Sequence, residues 1–95
     1  MTATEIDLRM SRFTADVIQR FRDVDPDWSY ITLDSRFDDE DGYPYVWLNL
    51  RILSSYHLKM LAESYHFTIF AHSLKVNGVI TPTLHVLILP TRPGQ

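Results

Sequence analysis

Apolar residues first recur at a helical spacing. Ile6, Met10, Phe13, Val17 and Phe21 fall every three or four positions, while Arg9, Arg12, Asp16 and Arg20 lie off that line. This is one stripe of an amphipathic helix. Thr2 and Glu5 have capping-box spacing at its start. The run Asp23-Val24-Asp25-Pro26-Asp27 ends it, because proline disfavours helix in the preceding residue. The spacing predicts a helix over 3–22.

A period of two takes over next. In 28–37, Ile31, Leu33 and Phe37 fall on one face, with Trp28, Tyr30, Thr32, Asp34 and Arg36 on the other. In 43–52, Val46, Leu48, Leu50 and Ile52 share a face, and Tyr43, Tyr45, Trp47, Asn49 and Arg51 take its opposite. Asp38-Asp39-Glu40-Asp41-Gly42 joins the two as a hairpin loop ending in the glycine such loops favour. Ser54 then reads as an N-cap, with Leu53 and Leu58 placed for a hydrophobic staple. A second helix is expected over 55–65, burying Leu58, Leu61, Ala62 and Tyr65.

Asn77-Gly78 between β-rich runs signals a two-residue type I′ turn, since both residues tolerate positive φ. That turn pairs Val76 with Val79. Carried outward, the register sets Ala71 opposite Leu84, Ile69 opposite Val86 and Phe67 opposite Ile88. All three pairs are apolar, so turn chemistry and hydrophobic register agree. His66, Thr68, Phe70 and His72 then share the other face with Thr83, His85, Leu87 and Leu89. Pro82 lacks an N–H, which suggests an edge strand or a bulge near position 82. The order α-β-β-α-β-β implies an α+β domain with two helices on one face of a four-stranded, mostly antiparallel sheet. Its domain is expected to span 1–90, with 91–95 a flexible C-terminal tail. The two hairpins could lie side by side or interleave.

Composition narrows the class. Hydrophobic residues are 45% and charged residues 22%, ordinary globular usage rather than that of a disordered chain. There is no cysteine, which excludes disulfides, thiolate metal sites and cysteine nucleophiles. No run approaches the ~18 apolar residues of a membrane helix, so no membrane partner is expected. The first ten residues carry two acids and no apolar segment of the signal-peptide kind. A cytoplasmic location is the expectation.

Charge is polarised along the chain. Residues 1–47 carry −6 and residues 48–95 carry +3, for a total of −3. Such polarity steers a basic partner, or one copy toward another. It speaks against nucleic acid, which needs a basic face.

The face left over by the helices suggests the function. It would display Trp28, Tyr30, Tyr43, Tyr45, Trp47, Phe70, Leu87 and Leu89, and a patch of that size marks an interaction site. The leading expectation is a non-enzymatic protein–protein interaction module, most simply a homodimer. Its interface would hold Trp28, Tyr30, Tyr45, Trp47 and Phe70, with Arg51, His72 and His85 toward the rim. Cross-strand packing within the sheet is the bland alternative for the same aromatics. A second reading is a small acidic inhibitor or immunity-type protein that blocks a basic site on its partner through Asp38, Asp39, Glu40 and Asp41. That loop lacks the spaced ligands and central glycine of a calcium loop. A third reading is a metal site or enzyme built on His66, His72 and His85, the middle and last being diagonal neighbours. No phosphate loop, nucleophile elbow or His-Glu-x-x-His motif occurs. No enzyme activity, catalytic residue, bound metal or cofactor is therefore expected.

Overall fold

Six elements form in the expected order: α1 (Ala3–Val24), β1 (Thr32–Asp38), β2 (Tyr43–Leu50), α2 (Ser55–Ser64), β3 (Tyr65–Val76) and β4 (Val79–Pro90). The computed structural model describes residues 2–91, apart from the side chains at 74 and 76. Of the expected tail, 92–95 lie outside the described residues. Thr91 is described, and its hydroxyl donates to the Ser64 carbonyl at 2.7 Å.

The sheet is antiparallel throughout, in the order β1-β2-β4-β3. The hairpins therefore lie side by side, joined through β2 and β4. The register at the second turn is the expected one, with Ala71 against Leu84, Ile69 against Val86 and Phe67 against Ile88. Asn77 and Gly78 both have positive φ, 50° and 80°.

β4 is not an edge strand, and it is not bulged. Its pairing with β3 runs unbroken through Ser73↔Pro82, while β2 pairs only with 84–88. Pro82 and Pro90 bracket the stretch that is paired on both sides. Neither proline has to supply an N–H to β2, so an interior strand tolerates both.

Both helices lie on one side of the sheet, α1 over β1 and β2, and α2 beside β3. The core is Val17 and Phe21 from α1, Val46, Leu48 and Leu50 from β2, Val86 and Ile88 from β4, with Leu61, Tyr65 and Trp28. Thr2 caps α1 as read: its Oγ1 accepts from the Glu5 N–H at 3.2 Å, and its hydroxyl donates to the Glu5 carboxylate at 3.1 Å. Tyr65 donates its hydroxyl to Asp16, tying the start of β3 to α1. Burial, and then this carboxylate, push the Tyr65 phenol well above its ordinary pKa.

Three expectations fail here. Residues 28–31 are not strand, and Trp28 lies in the core at 8% exposure. The cause is a turn: Asp25 Oδ1 accepts from the Asp27 N–H at 3.0 Å, and the Asp25 carbonyl accepts from the Trp28 N–H at 3.0 Å. That turn lays the indole on Phe21, with ring centroids 4.4 Å apart. Next, α2 buries His57 and Leu61, while Leu58 and Ala62 are exposed, so the Leu53–Leu58 staple does not describe this helix start. Finally, Tyr65 is buried as the first residue of β3, not the last of the helix.

His57 can face inward because its polar atoms are satisfied. Its Nε2 donates to the Phe21 carbonyl at 3.1 Å, so Nδ1 is the acceptor for the Ser54 hydroxyl at 2.9 Å. Ser54 Oγ in turn accepts from the His57 backbone N–H at 3.1 Å, as the expected N-cap.

Candidate functional site

The helix-free face is built by alternation. Side chains of β2 at 44, 46, 48 and 50 are buried under the helices, which turns Tyr43, Tyr45, Trp47 and Asn49 the other way. Pairing then fixes the rows across the sheet. Asp34, Trp47, Leu87 and Thr68 form one row, and Thr32, Asn49, His85 and Phe70 form the next.

Trp47 is the centre of this surface. Its ring lies 6.1 Å from Phe70 and meets His85 edge-on at 4.4 Å. Phe70 is 49% exposed, while Tyr45, Trp47, Leu87 and Leu89 are half-buried. His72 and His85 face each other as a perpendicular pair with centroids 5.1 Å apart. Arg36 and Asp34 form an exposed ion pair at 2.7 Å on the β1 border. Burial, and then the neighbouring His72, hold the His85 pKa below its ordinary value.

The expected interface residues thus separate. Tyr45, Trp47, Phe70, His72 and His85 come together on one face. Trp28 belongs to the core instead. Tyr30 stands beside Trp28 with Arg51 at the end of the sheet, around a recess of about 570 Å3 that Asp25, Asp27, Ser54 and His57 complete. Arg51 also borders a second recess of about 450 Å3 with His72 and Thr83, which keeps it at the rim of the aromatic face.

The acidic loop is partly internal to its own turn. Asp38 Oδ1 accepts from the backbone N–H groups of Glu40 and Asp41, both at 2.9 Å, and the Tyr43 hydroxyl donates to Asp41 at 3.3 Å. Asp39 and Glu40 are exposed. Among the described residues no three His, Asp or Glu side chains gather to hold a metal ion. His66 is on the right face, but stands opposite Leu89, well along β3 from His72.

Sequence reasoning missed two features. One is the Ser54–His57 pair, whose signal was a polar residue three positions after a serine cap. This pair resembles a hydroxyl–base couple, but its ring is only 4% exposed and its hydroxyl oxygen caps α2, so it serves to join the helices. The other is Asn49. Its amide N–H donates to the Thr32 hydroxyl, and its Oδ1 is buried without a hydrogen-bond partner. No protein-family model, curated protein or solved structure matches the chain. Among the described residues no helix is long and apolar enough to cross a membrane.

Proposed function

We propose that this protein is a non-enzymatic interaction module whose open sheet face packs against the same face of a second copy. The observation that carries the reading is the cluster of Tyr45, Trp47, Phe70, Leu87 and Leu89 on a surface to which neither helix contributes. Aromatic anchors of this kind dominate interface energetics. The molecule measures 41 × 29 × 22 Å, so its broad face is large enough for the ~800 Å2 per partner of a stable complex.

Charge favours a second copy over an unrelated chain. The β1–β2 turn places Asp38, Asp39, Glu40 and Asp41 at one end of the face. Arg51 stands toward the other, beside His72. A two-fold axis across the strands lays each acidic end over the partner's Arg51, which is self-complementary. The acidic-inhibitor reading draws less support, because Asp38 and Asp41 are engaged within the turn.

The test is absolute mass by light scattering over a tenfold concentration range. Wild type should hold at twice the chain mass, and Trp47→Ala should run as a monomer with an unchanged circular-dichroism spectrum. A monomeric wild type, or a Trp47→Ala protein that stays dimeric, would overturn the proposal. Neutralising residues 38–41 to Asn and Gln should weaken the dimer only modestly and flatten its salt dependence.

A further inference from the structure

We propose that His72 and His85 form a two-imidazole chelate for a divalent transition ion of the zinc class on the open face of the sheet. The strands make the pair: His72 stands opposite Thr83 and His85 opposite Phe70, so the two histidines are diagonal neighbours on one face. Their ring centroids are 5.1 Å apart, with planes at 84°. Two imidazoles on one zinc, with Zn–N bonds of ~2.0–2.1 Å at a tetrahedral angle, place their centroids ~5 Å apart. The two rings thus stand at the separation that chelation requires.

The chemistry selects the ion. Imidazole nitrogen suits zinc, nickel and copper, whereas magnesium and calcium require oxygen sets that this pair does not offer. Both rings must be neutral to ligate.

Asn49 supplies an independent pointer. It stands directly opposite His85, and its amide N–H is spent on Thr32 toward β1. Its buried, unpartnered Oδ1 is thereby left for the β4 side. There a small rotation would let it accept the N–H of a metal-bound His85, the usual orienting contact for a histidine ligand. In a single chain the pair is reachable, since His85 borders one shallow recess of about 420 Å3 and His72 another of about 450 Å3, and the proposed dimer, centred on the neighbouring Trp47, restricts that access. Arg51 shares the second recess and opposes the ion's charge. Among the described residues no third histidine or carboxylate completes the set. Water therefore fills the remaining positions, and the affinity is that of a two-ligand site.

The site does not depend on self-association. Isothermal titration of the tag-free protein with zinc chloride should show one ion per chain, with no heat from magnesium. His72→Ala and His85→Ala should each weaken binding at least tenfold, and His66→Ala should leave it unchanged. Leu89→Lys, which charges the far end of the aromatic face, should lower the dimer's mass and keep zinc binding. No saturable zinc binding by either the wild type or Leu89→Lys would overturn the proposal. So would stoichiometric binding that survives loss of either histidine.

Discussion

At the scale of single residues, the two tryptophans separate the forces that hold the chain together from those that would join it to the proposed second copy. Trp28 is stacked on Phe21 and lies near His57, whereas Trp47 lies on the open face against Phe70 and His85. Trp28→Ala should therefore destabilise the fold by ~3–5 kcal/mol, the usual cost of emptying a large aromatic site in a core. Within a single chain Trp47→Ala should cost ~1 kcal/mol or less, since there it removes only cross-strand ring contacts, and loss of the proposed dimer adds a concentration-dependent part. Urea denaturation of both variants reads the difference, and equal losses would contradict the placement of either ring. The sequence shows both residues on the outward line of an alternating pattern. What it hides is that alternation begins only at Thr32, after a turn closed by the Asp25 side chain. His57 was illegible for a related reason. A polar residue enters the core when both of its ring nitrogens find partners, and one of those partners is a backbone carbonyl 36 residues away.

At the scale of elements, local chemistry and long-range register agree wherever the reading held. The stripe Val17 and Phe21 is buried in α1, and Asn77-Gly78 sets a turn whose register places apolar residues opposite one another. α2 reads less well, because ten residues with a weak apolar line leave its rotation to be decided by packing on Phe21 and Trp28. The β1–β2 hairpin offers a direct check on turn chemistry. Its last loop residue, Gly42, has φ +72°, and no heavy atom lies within 4 Å of where a Cβ would stand. Any cost of Gly42→Ala is therefore conformational, about 1 kcal/mol from the left-handed backbone. Gly42→Asn should cost less, since asparagine tolerates that region. Neither should change the dimer's mass, because the loop lies at the end of the aromatic face. Thermal melts and light scattering on the two variants test both statements.

At the scale of the whole molecule, the open face would join the proposed hydrophobic association to proton binding. His85 is held below its ordinary pKa of 6.5 by burial and then by His72. The groups around it are His72 and Phe70 from β3 and Trp47 and Asn49 from β2, with Arg51 beside His72; the carboxylate that shares its recess, Asp34, is paired with Arg36. Its folded pKa is depressed, so the unfolded chain takes up the proton at a higher pH than the native one does. The stabilisation is complete above 6.5 and is lost as the pH falls through the folded value. Melting temperature should therefore fall on acidification below 6.5 in metal-free buffer, and His85→Gln should show a shallower fall. The proposed dimer should follow the same direction, because a protonated His85 puts charge beside Trp47, the centre of the proposed contact. Scattering mass measured between pH 8 and 5.5 should drop in the wild type more than in His85→Gln. An identical pH response in the two proteins would place the acid sensitivity elsewhere, in the carboxylates of the amino-terminal half, and would detach the histidine pair from the association surface.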